Sequence, residues 1–333
     1  MNGIAAHVLP LRRCAFNIWP AARRGRDTPD PNRAGASALR RMLGRAHRSR
    51  EHNEKEDATM SNSENDTVQR RDLITGGAIA AGAALIAGAN EAQAQSRGAR
   101  SPYADPAEPA LPASNMTLTR GRVALVVMDP QNDFLAETGV AWGVVGESVR
   151  EQNTIENLER VFRAAKAVDL PTFVSPHYYY PHDHAWRFEG ALEKVMHSIH
   201  MFDRAGPLNL DGFANSGADW LPRLRPYIED GKTIVASPHK MYGPETNDLV
   251  LQLRKQHIDQ IILAGMSANL CVESHMRELL EQGFEVAVVR DATAGAKIPD
   301  GDGYLAALIN FRMMANAVWR TSEAVERIEA LRA

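Results

Sequence analysis

The sequence is poor in cysteine, which limits what its thiols can do. Only Cys14 and Cys271 occur in the 333 residues, so the chain can form at most one intrachain disulfide. Cys271 follows an apolar run, Ile261–Ala264, and a glycine, Gly265, and it opens an amphipathic run that ends at Gly283. At such a strand-to-helix junction, unpaired backbone N–H groups and the helix dipole favour a thiolate. The position suits a nucleophile; the alternative is a small buried apolar residue at the start of a helix.

The sequence also lacks a strong charge of either sign. Its formal net charge is −3, with 24% charged and 44% hydrophobic residues, which is typical of a soluble globular protein with one large or two small domains. This balance gives no reason to expect nucleic-acid binding. The apolar stretch near the amino terminus, 75–89, is short for a membrane span and contains several glycines.

Residues 1–59 are rich in Arg, Ala and Pro and show no sustained helical or strand period. They are interpreted either as a disordered basic extension or as sequence that is not normally translated. Lys55, Glu56 and Asp57 can be encoded by AAG GAG GAC, which contains a purine-rich ribosome-binding sequence shortly before Met60. We therefore favour Met60 as the true start, and a gene that lacks this sequence would remove the main support.

Residues 60–94 resemble a twin-arginine signal peptide, with paired arginines at 70 and 71, a modestly apolar run and an A-x-A site at 92–94. Leu73 replaces the usual Phe, and an uncleaved membrane anchor is the alternative. Export would place the folded protein in the periplasm or outside the cell. Cleavage would remove Cys14 and leave Cys271 as the only thiol. Residues 95–120, rich in Pro, Ala and Ser, predict a linker.

In residues 121–333, strand-like apolar runs alternate with helix-like amphipathic runs. Continuous apolar runs such as Arg122–Met128 are typical of parallel strands that are buried on both faces. The predicted strands are 122–128, 172–175, 233–237, 261–264, 285–289 and 317–319. The predicted helices are 149–168, 191–200, 246–256, 271–282, 304–314 and 322–331. This alternation predicts an α/β fold, a parallel sheet with helices on both faces, and a site at the carboxyl ends of the strands.

Chemically active side chains follow these strands. Asp129 follows the first strand, His239 and Lys240 the third, and Cys271 the fourth. A carboxylate, an ammonium and a thiol at one sheet edge form a coherent set, in which Asp129 takes the thiol proton and Lys240 holds the thiolate and carboxylate charged. A turn or capping role for Asp129 and a solvated surface charge for Lys240 are the alternatives.

Three parts of the domain resemble the isochorismatase-like cysteine hydrolase superfamily: ALVVMDPQNDF, ASPHKMYG followed by TNDLVLQL, and ILAGMSANLCVES followed by GFEVAVVRDAT. The resemblance runs from Arg122 to Trp319. It implies a three-layer αβα sandwich with a six-stranded parallel sheet of Rossmann-like topology, commonly assembled into homo-oligomers. It also implies an Asp–Lys–Cys triad, which maps onto Asp129, Lys240 and Cys271.

In that superfamily, a loop of pattern G-x-[ST]-x-x-x-C contains a cis peptide bond, which would fall at Met266–Ser267. The resemblance implies that the backbone N–H groups of Ser267 and Cys271 bind the substrate carbonyl oxygen. The implied mechanism is attack of the Cys271 thiolate on an amide or carbamoyl carbon, loss of ammonia or an amine, and hydrolysis of the thioester.

The region around the second and third strands supplies polar and aromatic candidates for a substrate pocket. These candidates are Gln131, Phe134, His177, Tyr178, Trp186 and Tyr242, and the aromatic run from Tyr178 to Phe188 suits a pocket wall or a subunit contact. The nicotinamidase branch of the superfamily has a metal site after the second strand, but its D-x-H spacing is not found here. We expect no cofactor; if a metal ion does bind, His177, His182 and His184 are the candidate ligands for Zn²⁺ or Fe²⁺.

The sequence thus predicts an exported cysteine amidohydrolase that acts on a small amide, carbamoyl or ureido compound. The enzymatic alternative is vinyl ether cleavage, the reaction of the isochorismatases proper, which does not need this cysteine. The non-enzymatic alternative is a small-ligand-binding protein on the same fold, which needs no base and thiol together. The expected partners are a small-molecule substrate and further copies of the chain, with no membrane contact after signal cleavage. The sequence does not identify the substrate.

Overall fold

The computed structural model describes residues 101–112 and 114–332. The predicted basic extension, 1–59, and signal peptide, 60–94, lie outside these ranges. None of the helices within them is long and apolar enough to cross a membrane.

A six-stranded parallel sheet forms the centre of the domain. Its strands are β1 Val123–Met128, β2 Thr172–Ser175, β3 Ile234–Val235, β4 Gln260–Gly265, β5 Glu285–Val289 and β8 Ala317–Trp319. Their order across the sheet is β3-β2-β1-β4-β5-β8. The central strands β1 and β4 are buried along their whole length, as their unbroken apolar runs require. The predicted α/β sandwich is therefore confirmed.

Helices cover both faces of the sheet. They are α1 Asn132–Leu135, α2 Trp142–Gln152, α3 Thr154–Ala167, α4 Ala191–Ser198, α5 Arg225–Ile228, α6 Leu249–Lys255, α7 Glu273–Glu281, α8 Gly303–Met314 and α9 Thr321–Glu329. Alternate residues of β1 belong to two separate cores: Leu125 packs in a cluster with Leu158 of α3, whereas Val126 packs in a cluster with Met276 of α7. Full burial of such side chains stabilises the fold by about 1.5 to 3 kcal/mol each.

Three local features differ from the sequence prediction. The long helix predicted over 149–168 is divided at Asn153, which adopts a left-handed conformation with φ of +53°. A short antiparallel hairpin, β6 Lys297–Ile298 with β7 Gly301–Asp302, was not predicted. The third strand is shorter than 233–237, but its pairing continues past the strand through an isolated bridge between His177 and His239.

Part of the predicted linker packs on the domain. The ring of Tyr103 meets that of Tyr304 edge to face with centroids 5.0 Å apart, and its hydroxyl donates to Asp302 Oδ2 at 2.5 Å. The carboxylate of Asp105 pairs with Arg290 Nη1 at 2.5 Å and with Arg312 Nη2 at 2.9 Å. Residues 103–105 therefore form part of the folded unit.

Candidate active site

Four chemically active side chains meet at the carboxyl edge of the sheet. Asp129, His177, His239 and Cys271 each offer one donor atom, and these atoms all lie within 4.8 Å of one another. All four are buried, with Asp129, His177 and His239 at 0% exposure and Cys271 at 3%. The sequence placed all four after strands, and the fold brings them together. We call this group the buried tetrad.

Asp129 is positioned by the abrupt end of β1. Its φ of +46° lies in the left-handed region, which Asp tolerates better than most residues and which turns the chain out of the strand. Its backbone N–H donates to Ser175 O of the neighbouring strand at 3.1 Å. One carboxylate oxygen, Oδ1, contacts His239 Nε2 at 2.9 Å, whereas Oδ2 is buried and has no hydrogen-bond partner in the described structure.

The contacts of His239 define where a proton must lie. Its Nδ1 is 2.9 Å from Met241 O, and a carbonyl only accepts, so Nδ1 carries a hydrogen. Its Nε2 faces Asp129 Oδ1, and this contact also requires a hydrogen between the two atoms. The pair is therefore either an imidazolium with a carboxylate or a neutral imidazole with a protonated acid. In the first form, His239 supplies the positive charge that Asp129 needs to remain a carboxylate.

Lys240, which the sequence assigned to this role, lies elsewhere. Its Nζ donates to Asp183 Oδ2 at 2.5 Å and to Tyr178 O at 2.8 Å, and it lies 3.7 Å from the centroid of the Tyr180 ring. Within the described residues, this ammonium makes no hydrogen bond or ion pair with the buried tetrad. Successive side chains of extended backbone point in opposite directions, so the inward direction of His239 turns Lys240 away. The structure thus corrects the predicted position of Lys240.

The thiol of Cys271 lies in the first helical turns after β4. Ala268–Val272 forms a π-helical turn that runs into α7, so the helix begins earlier than the predicted Cys271. Burial, followed by the negative charge of Asp129, raises the pKa of the thiol well above its usual value. Hydrogen bonds from the backbone N–H groups of Ser267 and Cys271 oppose this rise. The resting site therefore favours a neutral thiol, contrary to the thiolate expected from the sequence.

The loop between β4 and this turn has the predicted backbone features. The peptide bond Met266–Ser267 is cis, as the superfamily resemblance implied. Gly265 has a φ of +116°, and a Cβ there would lie 2.1 Å from Met128 O, so glycine is needed for the close approach of β4 to β1. The backbone N–H groups predicted as oxyanion donors belong to Ser267, which precedes the π-helical turn, and to Cys271 within it.

His177 is held in place by its backbone. Gln131 accepts from His177 N through Oε1 at 3.0 Å and donates through Nε2 to His177 O at 2.9 Å and Ala218 O at 2.8 Å. The imidazole has no hydrogen-bond partner for either ring nitrogen among the residues described. Burial, followed by the neighbouring His239, lowers its pKa well below the usual value, so the ring is neutral. Gln131, predicted as a pocket residue, thus fixes the loop that carries His177.

The other predicted pocket residues divide between core and site. Phe134 packs edge to face on Phe202, with ring centroids 5.2 Å apart, and belongs to the core. Tyr178 is buried beneath the guanidinium of Arg204, and Trp186 packs on Tyr179. Burial raises the pKa of Tyr242 to about 12, with smaller effects from Glu193 and Cys271. Phe188 is 90% exposed, so it does not form the wall of a closed pocket.

The structure does not gather the three histidines considered as metal ligands. His177 belongs to the buried tetrad, whereas His182 Nε2 lies 3.1 Å from Asp183 Oδ1 on the surface. His184 forms a separate group with His200 and Asp203, at 2.8 Å from Asp203 Oδ1. Any metal bound through His177 would therefore use the tetrad and not His182 or His184.

Comparison with known proteins identifies the family. The family model for the isochorismatase domain matches residues 123–323, more than half of the chain. The chain belongs to the isochorismatase family. An uncharacterised isochorismatase family protein from Escherichia coli, YecD, is 47% identical over 49 residues, which are 15% of this chain and 26% of that protein. A secreted isochorismatase effector from Verticillium dahliae is 28% identical over 116 residues, 35% of this chain and 58% of the effector.

A solved structure supports the same assignment at the level of the fold. A cysteine hydrolase from Pseudomonas syringae pv. phaseolicola superposes with a TM-score of 0.55 at 20% identity, covering 67% of this chain and all of that protein. The matches to the two curated relatives span 26% and 58% of their lengths, so less than two thirds of either is covered. This isochorismatase-family chain therefore has the fold of the cysteine hydrolases.

Proposed function

We propose that this protein is a cysteine-dependent hydrolase that cleaves a C–N bond in a small amide, carbamoyl or ureido compound through a thioester. One observation carries the proposal. The buried thiol of Cys271 lies beside Asp129, whose Oδ1 is held by His239 and whose Oδ2 is free to accept a proton. A thiol that is neutral at rest needs such a base at the moment of attack.

In the proposed reaction, His239 takes the cationic role that the sequence gave to Lys240. Asp129 Oδ2 accepts the proton of Cys271 while the imidazolium of His239 stays on Oδ1. The sulfur then attacks the substrate carbon, and Asp129 returns the proton to the departing nitrogen, which leaves as ammonia or an amine. A water molecule, deprotonated by Asp129, hydrolyses the thioester and restores the thiol.

The oxygen of the attacked carbonyl is stabilised by donors next to the nucleophile. In this proposal, the backbone N–H groups of Ser267 and Cys271 donate to the developing oxyanion. Loss of one such donor costs about 2.7 to 4 kcal/mol in other acyl-transfer enzymes, so this pair would contribute substantially to lowering the barrier.

The thiol is 3% exposed, so we infer that part of the structure moves before a substrate reaches it. Met241 and Tyr242 are the candidates: Met241 O accepts from His239 Nδ1 at 2.9 Å, and Tyr242 O lies 3.1 Å from Nδ1 of the buried His275.

The proposal is tested by an ammonia-release screen over nicotinamide, carbamoylsarcosine, ureidoacrylate, biuret and maleamate. We expect release with at least one compound, abolished in Cys271→Ala and kept in the surface control His184→Ala. Isochorismate cleavage that survives in Cys271→Ala would support the vinyl ether reaction and reject the amidase. Tight binding of a compound without turnover would support the binding-protein alternative.

We also propose that the protein is exported and forms homo-oligomers. The export signal in 60–94 supports the first, and the exposed Phe188 supports a subunit contact. Cell fractionation with Lys replacing both Arg70 and Arg71 tests export, and light scattering of the purified protein with and without Phe188→Ser tests assembly.

A further inference from the structure

The buried tetrad combines ligand types that bind borderline divalent metal ions. It contains a thiol, two imidazoles and a carboxylate, with all four donor atoms within 4.8 Å of one another. A tetrahedral Zn²⁺ site with ordinary bond lengths separates N, O and S ligand atoms by about 3.3 to 3.6 Å. Only small side-chain movements are therefore needed, such as an increase in the 2.9 Å distance between His239 Nε2 and Asp129 Oδ1.

Two members of the tetrad carry unsatisfied polar atoms. Within the described ranges, neither ring nitrogen of His177 has a partner at hydrogen-bond distance, and neither has Asp129 Oδ2, although all three atoms are buried. A buried polar atom without a partner costs about 1 to 3 kcal/mol, and such atoms call for an explanation in a native structure. A metal ion would satisfy one ring nitrogen of His177 and the free carboxylate oxygen together.

The surroundings of His239 match the usual support of a metal-binding imidazole. Its Nδ1–H donates to the backbone carbonyl of Met241 at 2.9 Å, which aims Nε2 into the tetrad. Histidine ligands almost always donate their second ring N–H to a carbonyl or carboxylate in this way, which fixes the tautomer and the ring orientation. The loop of His177 is fixed in turn by Gln131.

We propose that Asp129, His177, His239 and Cys271 form a binding site for a borderline divalent cation, with Zn²⁺ as the ion that the ligand set fits best. The thiolate and carboxylate together offset the double positive charge in a site closed to solvent. Binding releases two protons to solvent, one from the thiol and one from the His239–Asp129 pair.

Such a site masks the nucleophile. Four protein ligands complete a tetrahedral shell and leave no open position for water or substrate, which is the pattern of non-catalytic zinc sites. Because the same atoms would serve as nucleophile and base, metal binding and thioester chemistry exclude each other. This second statement depends on the proposed function, whereas the metal site itself does not.

The test uses the full chain, reduced and stripped of metal, titrated with Co²⁺ as a spectroscopic probe. We expect one Co²⁺ per chain, a thiolate-to-cobalt charge-transfer band, and the visible bands of tetrahedral cobalt, all displaced by Zn²⁺. The charge-transfer band should disappear in Cys271→Ser, and the affinity should fall at least about 100-fold in His177→Phe. Circular dichroism establishes that each variant is folded, and zinc-dependent protection of Cys271 from alkylation gives a second measurement.

The control is His184→Ala, which disrupts the separate surface group with His200 and Asp203. Unchanged spectra in this variant support the tetrad. Loss of binding there, unchanged binding in a folded His177→Phe, or no charge-transfer band in the wild-type protein would overturn the metal site.

Activity measurements distinguish the proposed metal site from the proposed cysteine hydrolase mechanism. Hydrolysis by the metal-free protein, inhibited by one equivalent of Zn²⁺, supports both of them. Hydrolysis that requires the bound metal keeps the site but overturns masking and the cysteine mechanism. Hydrolysis by a protein that binds no metal overturns the site alone.

Discussion

The replacement of His239 by Gln is the most direct test of how this site works. Gln keeps an N–H donor for Asp129 but carries no charge, so it removes the imidazolium and preserves a hydrogen bond. Without that cation, the buried carboxylate loses its compensating charge, and the electrostatic balance that allows proton transfer from Cys271 to Asp129 is disturbed.

The size of the effect follows from the burial of the pair. Removing one partner of a buried ion pair costs about 3 to 5 kcal/mol, and both side chains are fully buried here. That cost falls on folding stability; for the rate, a positioned general base contributes about 10²- to 10⁴-fold, so kcat/KM should fall by roughly that factor.

Lys240→Gln is the matched variant from the adjacent position. Its ammonium pairs with the buried carboxylate of Asp183, so its loss should lower the free energy of unfolding by about 1 to 3 kcal/mol. Its effect on kcat/KM should stay below about tenfold. Steady-state kinetics on the substrate from the ammonia screen, together with urea unfolding, measure both. A large rate loss in Lys240→Gln with near-normal activity in His239→Gln would refute the assignment and restore the lysine of the sequence prediction.

Three further predictions concern stability and reactivity. Burial and the nearby His239 lower the pKa of His275 to about 3. Between pH 6.5 and 4.5, His275 therefore becomes protonated only in the unfolded chain, and the free energy of unfolding should fall by about 2 to 3 kcal/mol. Urea unfolding at both pH values should show this loss reduced in His275→Asn, and an equal loss would contradict it. Gly265→Ala should lower the free energy of unfolding by at least about 3 kcal/mol, because its Cβ would meet a backbone oxygen. Gly283→Ala is strained only by its φ of +77° and should lower it by about 1 kcal/mol. Similar melting temperatures for the two variants would contradict this prediction. In metal-free protein, the rate of Cys271 alkylation by iodoacetamide should increase only at pH values above the usual thiol pKa of about 8.5, because the pKa of Cys271 is raised. A rate that is already constant by pH 7 would contradict a raised pKa.

The sequence predicted the sheet well because buried parallel strands leave a strong pattern. The continuous apolar runs of β1 and β4 gave both strands to within about one residue at each end, and their carboxyl ends located Asp129 and Cys271. The break at Asn153 was not predictable, since a left-handed residue inside an amphipathic pattern leaves no periodic signal.

The sequence prediction chose Lys240 instead of His239 for a different reason. Both follow the same strand, and a shift of one residue reverses the direction of a side chain. The short β3 gives too few residues to set that alternation from sequence, and the deciding contact is a bridge to His177, a residue far away in the chain. The superfamily resemblance then favoured Lys240, because the triad that it implies contains a lysine.

The bridge between His177 and His239 also has a consequence for how this protein could change over time. The bridge fixes both histidines at the edge of the sheet. The chain segment between them contains exposed apolar residues, such as Leu208, which is 96% exposed, and Leu210, which is 63% exposed. Insertions or exchanges near these two positions would leave the reacting atoms where they are. Sequence change can therefore accumulate at these two exposed positions while the reacting centre stays the same.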